Sequence, residues 1–159
     1  MQAKAELEAR LAATLADLGG ELAGCTEPWW LIGSAAMALH GAPVEVRDVD
    51  LLLAPADARA VLRRRGLAAD PGSPSTLFSS DVFGSWQAPP HQVELFAGFK
   101  VRTGGSWHEL VPETRQTLLV NGVALFVPSV EELIAWGRLF GRTKDSQREP
   151  LLAALLRHG

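Results

Sequence analysis

Trp30-Leu31-Ile32-Gly33-Ser34-Ala35-Ala36-Met37-Ala38-Leu39-His40-Gly41-Ala42-Pro43-Val44-Glu45-Val46-Arg47-Asp48-Val49-Asp50-Leu51 spells a strand, a helix and a second strand in one stretch. The apolar run over residues 29–32 closes on Gly33-Ser34, and a helix-forming run of small and apolar residues, 35–39, begins at once. Such strand-to-helix turns bind phosphate. Glycine lets an anion approach the backbone, and the unpaired N–H groups and positive dipole end of the helix face it. Ser34 adds a hydroxyl donor. In the second strand, side chains alternate in direction, so Asp48 and Asp50 point one way and Val49 the other. Two unit charges about 5 Å apart repel by roughly 3 kcal/mol at an effective dielectric near 20, so both carboxylates ionise comfortably only beside a cation. Mg2+ is the natural choice, because it takes one or two protein carboxylates and fills its shell with water and substrate phosphates.

Further along, His91-Gln92-Val93-Glu94-Leu95-Phe96 alternates in the same way. Glu94 is directed opposite to Val93 and Leu95, where it would supply a third carboxylate. Rival chemistries of an Asp-x-Asp pair fail locally. Phosphatases of the haloacid-dehalogenase type place the nucleophilic Asp at the C-terminal end of an apolar strand, whereas Leu51-Leu52-Leu53 follow the pair here. A calcium loop opening at Asp48 would need Gly and Glu at its sixth and twelfth positions, where Leu53 and Arg59 stand.

The set resembles the nucleotidyltransferase superfamily, in which an apolar-Gly-[Gly/Ser] turn precedes an apolar-flanked Asp-x-[Asp/Glu] and a distant apolar-carboxylate-apolar strand. Thirteen residues, 35–47, separate the first two pieces here. The quoted stretch is similar to small bacterial members akin to the lincosamide and aminoglycoside nucleotidyltransferases and to toxin–antitoxin nucleotidyltransferases. Gly141-Arg142-Thr143-Lys144-Asp145 resembles the basic-acidic opening of the last helix in many of them. The resemblance implies an α/β nucleotidyltransferase-like fold, a mixed β-sheet flanked by helices, with C-terminal helices over about residues 129–157. It implies transfer of a nucleoside monophosphate from an NTP to an acceptor hydroxyl, in a small molecule, protein or tRNA, with release of pyrophosphate. Asp48, Asp50 and Glu94 would be the catalytic and Mg2+-binding residues; Gly33, Ser34 and Lys144 would bind the nucleotide, ATP being the typical donor. The alternative is a catalytically weak or inactive binding module, such as one half of a toxin–antitoxin pair. The acceptor would be held by the C-terminal helices, by a second copy of the chain in a homodimer, or by a partner protein.

Composition bounds these readings. The 159 residues, 47% hydrophobic and 21% charged, suit one globular domain. A net charge of −3 offers no broad field for duplex nucleic acid, though a local basic groove is compatible with it. Cys25 is the single cysteine, a usage that fits a reducing cytoplasm. Residues 1–18 lack the apolar centre of a signal peptide, and no apolar run approaches the ~20 residues of a membrane span. A soluble, cytoplasmic protein is expected.

The remaining elements follow from periodicity and turns. Helices are expected at 3–18, ended by Gly19-Gly20, at 34–39 and at 56–65, whose Arg63 to Arg65 run reads as a solvated end. Strands are expected at 48–54, 76–80, 82–87 and 92–99, with a loop at 69–75 and a break at Pro89-Pro90. Asn121-Gly122 centres a hairpin over 117–127. Ser129 and Glu132 form a capping box for a helix to about Phe140, and the last helix covers 144–157, with Pro150 delaying or kinking it. His40, His91, His108 and His158 read as surface or turn residues, and Arg47 as a structural partner of Glu45 or of a neighbouring strand. Lys100 reads as a solvated lysine able to reach a triphosphate. Trp29, Trp30 and Trp136 suit packing, and Trp86 and Trp107 suit ligand contact.

Overall fold

A computed structural model describes residues 7–69 and 75–158. The elements run α1 (Ala9–Leu22), β1 (Trp30–Ile32), α2 (Gly33–Leu39), β2 (Asp48–Leu53), α3 (Pro55–Arg64), β3 (Phe78–Ser79), β4 (Val82–Ala88) and β5 (His91–Ala97). They continue as β6 (Lys100–Thr103), β7 (Ser106–Glu109), β8 (Gln116–Val120), β9 (Val123–Val127), α4 (Val130–Phe140) and α5 (Thr143–His158). The main sheet has the order β1-β2-β5-β4, with β2 and β5 parallel and the other two pairs antiparallel. It is the mixed sheet with flanking helices expected from the sequence. β3-β6-β7 form a second small sheet, and β8-β9 a hairpin.

Alternation divides the main sheet into two faces. Leu31, Val49, Leu51, Leu53, Val93 and Leu95 turn to a core shared with Leu11, Leu15, Leu18 and Leu22 of α1 and with Val61 and Leu62 of α3. Each buried leucine of this kind is worth roughly 1.5–3 kcal/mol relative to exposure. The other face carries Ile32 and Leu52, which pack with Phe99 and Trp136 in a second cluster. That cluster lies over Leu52 and reaches Ile32, the residue paired with Asp50, while Asp48 at the start of β2 is exposed.

Several boundaries differ from the sequence reading, each for a local reason. Helix α1 runs through Gly19-Gly20 instead of ending there. A methyl on Gly19 would sit 2.5 Å from Val123 Cγ1 and 2.7 Å from Leu125 Cδ2, so this glycine permits close approach of β9 and is no terminator. The first residues of the expected helix, 3–6, and most of the expected loop, 70–74, lie outside the described residues. The expected strand 92–99 stops at Ala97, because Gly98 turns the chain at φ +63° into β6. The β6-β7 hairpin was not anticipated; its turn is Gly104-Gly105, both at positive φ. The Asn121-Gly122 hairpin forms as expected, with φ of 50° and 79°. Pro150 lies inside α5, which continues past it to His158.

The capping box is half formed. Ser129 Oγ accepts from Glu132 N at 3.1 Å, but the Glu132 carboxylate accepts from Glu113 N and Thr114 N at 2.7 and 2.9 Å and from the Thr114 hydroxyl. Thr114 Oγ1 in turn accepts from Ser129 N at 2.8 Å, so the loop before β8 is tied to the start of α4. Asp57 does the same for α3: it accepts from Thr26 N, Thr26 Oγ1 and Glu27 N at 3.0–3.1 Å. Burial works to raise its pKa, yet these bonds and Arg64 hold it below the usual carboxylate range. No helix among the described residues is long and apolar enough to cross a membrane.

Candidate active site

The first strand delivers Ile32 opposite Asp50 across the antiparallel pair, and the chain turns at Gly33 directly into α2. Gly33 adopts φ +63°, which favours glycine, and a Cβ placed on it would stand 2.8 Å from Asp50 Oδ2. Both conformation and space therefore select glycine, and the Asp50 carboxylate is the group lodged against it. The Ser34 hydroxyl donates to the Asp48 carbonyl at 3.5 Å, a long bond that leaves the hydroxyl able to find a better acceptor.

Parallel pairing of β2 with β5 sets Asp50 beside Glu94 and Asp48 beside Gln92. Asp50 and Glu94 are neighbours across the parallel pair, and each carboxyl group acts on the other. Burial, then the Glu94 and Asp48 charges, push the Asp50 pKa up to about 7. Glu94 is raised as well, by burial first and then by Asp48. Lys144, in the first turn of α5, pulls both back down. Asp50 Oδ1 is buried without a hydrogen-bond partner. Such an orphaned acceptor among like charges is an acidic site short of positive charge. Asp48 stands at the exposed start of β2. Among the described residues, no three His, Cys, Asp or Glu groups are already arranged as a metal cage. Asp50 and Glu94 are turned toward each other.

The other sequence candidates are placed as follows. Lys100 donates to Asp81 Oδ1 at 2.7 Å and to the Gly98 carbonyl at 3.1 Å, so its ammonium is committed to the β3-β6 sheet instead of being freely solvated. Arg47 pairs with Glu45 at 3.0 Å, as one sequence reading had it. His40 and His91 are buried and not surface residues: His40 Nε2 lies 2.7 Å from the Pro128 carbonyl, and His91 Nδ1 lies 3.4 Å from Thr14 Oγ1. Arg63 to Arg65 are exposed at the end of α3, as expected, and Arg65 also binds Glu21 through two bonds and lies 4.1 Å over the Trp86 ring. Trp86 is buried on the core side, and Trp107 is exposed with Arg102 nearby. The Cys25 thiol is pushed up to about 11 by burial and then by Asp57, so it stays protonated.

Sequence reasoning missed two features near the carboxylates. Asp145 is buried and clamps Arg142 through its backbone N and Nε on Oδ2, at 3.1 and 2.7 Å, and through Nη2 on Oδ1 at 3.0 Å. This clamp fixes the turn that presents Lys144. The basic-acidic run 142–145 was the visible signal. The second feature is a polar row on β5 and β4: Ser85 pairs with Glu94, and Gln87 with Gln92. Alternation from Glu94 would have placed Gln92 on the same face; Ser85 and Gln87 needed the strand register.

No protein-family profile and no curated protein sequence matches this chain. Solved structures do. A candidate nucleotidyltransferase from Thermotoga maritima, TM1012, aligns with 98% of each chain at 21% identity and a TM-score of 0.75. ANT(2")-Ia, solved with adenylyl-2"-tobramycin, aligns over 94% of this chain and 90% of its own at 11% identity, with a TM-score of 0.57. An antigenic nucleotidyltransferase-like protein from Paracoccidioides brasiliensis aligns over 96% and 78% at 17% identity, with a TM-score of 0.55. At these identities the likeness is one of fold, and the fold is that of the nucleotidyltransferases.

Proposed function

We propose that the protein is a Mg2+-dependent nucleotidyltransferase that moves a nucleoside monophosphate from an NTP to an acceptor hydroxyl. The observation that carries this reading is the meeting of Asp50 and Glu94 across β2 and β5, with Asp48 and Lys144 acting on both. The residues fit a divalent cation. An orphaned buried carboxylate oxygen, two further carboxylates and a proton retained near neutral pH are what an oxygen-coordinated metal would relieve. Asp48 and Asp50 would hold Mg2+, with Glu94 beside them. When bound, the ion would stabilise the charge that develops on the leaving pyrophosphate oxygen.

The chain's own residues do the rest. The backbone at Gly33, the Ser34 hydroxyl and the Lys144 ammonium hold the terminal phosphates, so that the α-phosphorus faces the acceptor. The acceptor oxygen bonds to that phosphorus as the bond to the bridging oxygen breaks, and pyrophosphate departs with the bond's electrons. Glu94 takes the proton of the acceptor hydroxyl; its raised pKa makes it a better base than an exposed glutamate. Most of the catalysis is positioning and charge neutralisation.

One observation favours a catalytically silent binding module instead. Of the cations considered for the triphosphate, Arg47, Lys100 and Arg142 are each engaged by a carboxylate, which leaves Lys144 as the main counter-charge. Incubation with labelled NTPs, Mg2+ and a host lysate or metabolite panel separates the two. The enzyme yields a labelled acceptor and pyrophosphate that both disappear in Asp50→Asn; a silent module yields neither.

A further inference from the structure

Behind the carboxylates, on the side of the main sheet that faces α1 and α2, His91 opens β5. It stands three residues before Glu94, so alternation sends the two side chains to opposite faces of the strand. The imidazole is only 5% exposed. Its Nδ1 lies 3.4 Å from Thr14 Oγ1 on α1, and its Nε2 has no partner among the described residues. A ring nitrogen this deep in the protein and still unpaired calls for an explanation.

Beside it is a cavity of about 550 Å3. His91 forms part of the wall, with Leu11 of α1, Ala38 of α2, Val44 and Val46 of the segment leading into β2, and Pro90. Four charged side chains also line it and cancel: Glu8 and Glu45 stand against Arg10 and Arg47, and Arg47 is bound to Glu45 at 3.0 Å. Apolar walls around a single buried hydrogen-bonding group, in a volume within the roughly 300–1,000 Å3 of ligand pockets, are the make-up of a small-molecule site.

We propose that this cavity binds an uncharged, flat ring compound bearing a hydroxyl, with the hydroxyl on His91 Nε2. A hydroxyl both donates and accepts, so it satisfies Nε2 whichever nitrogen carries the proton. The aliphatic side chains cover the faces of the ring, and a lining without excess charge gives an ion no compensation for its lost hydration. The bound compound sits where the two carboxylate-bearing strands begin. Gln92 N donates to the Arg47 carbonyl at 3.3 Å, tying β5 to β2 at that end, and Asp48 follows Arg47 directly. The sheet itself separates this cavity from Asp50 and Glu94, so the site stands independently of the transfer reaction.

The test titrates the full, isotopically labelled chain with 2-naphthol and with 2-naphthoate, an anion on the same ring system, and follows both by NMR. Saturable amide shifts at Leu11, Ala38, Val44 and His91, a shift of the His91 Nε2 resonance, and weaker binding of the naphthoate are expected. His91→Phe keeps a ring without a nitrogen and should weaken naphthol binding about three- to tenfold, the loss of one hydrogen bond. Val44→Trp fills the cavity from a half-buried position and should abolish binding, with thermal unfolding confirming that both variants are folded. Excess NTP with Mg2+ should leave naphthol in place. No saturable shift, tighter binding of the naphthoate, unaltered affinity in either variant, displacement by NTP, or shifts confined to Asp48, Asp50 and Glu94 would overturn the site.

Discussion

At the scale of single residues, the chemistry turns on Asp50. Its proton is held up to about pH 7 in the folded chain, against 3.8 for a free aspartate, by burial and by Glu94 and Asp48. The folded state therefore binds this proton more tightly than the unfolded one. The associated stability is fully present below about pH 4 and is lost as pH rises through 7. In EDTA, the melting temperature of the wild type should fall relative to Asp50→Asn between pH 4.5 and 8, and Mg2+ should restore it at pH 8. Parallel profiles for the two proteins would show that Asp50 does not hold its proton. Gly33 supplies a second test. Alanine there meets both the positive φ and the Asp50 carboxylate, and should cost about 1–3 kcal/mol in stability together with Mg2+-dependent NTP binding. Denaturant unfolding and calorimetry read the two effects separately.

Among the elements, the two adjacent glycines of α1 predict opposite outcomes. Gly20→Ala meets nothing within 4 Å and should stabilise by about 0.5–1 kcal/mol, because alanine is the better helix former. Gly19→Ala should destabilise by about 1–3 kcal/mol, since its methyl drives into Val123 and Leu125. Equal effects at the two sites would refute the close approach of α1 to β9. A parallel contrast holds at α4. Glu132→Ala strands the backbone N–H groups of Glu113 and Thr114 and the Thr114 hydroxyl and should cost more than Ser129→Ala, which removes one capping bond worth about 1 kcal/mol. These pairs also explain what the sequence could reveal. Gly19-Gly20 reads as a helix end because glycine commonly serves there, and the neighbour that explains Gly19 lies about a hundred residues away in β9. The Asn121-Gly122 hairpin and the start of α2 were legible because their causes are local. Gly104-Gly105 carried a signal of the same kind that went unread; His40 and His91 had none, since their partners Pro128 and Thr14 are distant in sequence.

For the whole molecule, the order of strands in the main sheet is what turns scattered motifs into one site. Alternation alone placed Asp48 with Asp50 and turned Glu94 away from Val93, but only the parallel pairing of β2 with β5 sets Glu94 against Asp50. The antiparallel pairing of β4 with β5 sets Ser85 beside Glu94 and Gln87 beside Gln92, neighbours that no spacing along the chain could indicate. Lys144 arrives from the other end of the molecule, on a turn fixed by Arg142 and Asp145. The groups proposed to hold the donor phosphates and the cation, and the proposed base, thereby come from α2, β2, β5 and α5. The central claim is that this gathering binds a nucleoside triphosphate through a divalent cation. Isothermal calorimetry of the full chain with a non-hydrolysable NTP in millimolar Mg2+ tests it most directly. Saturable binding that is lost in EDTA and in Asp48→Ala and Asp50→Ala is the expected result; no binding by the wild type, or equal binding by the variants, would contradict it.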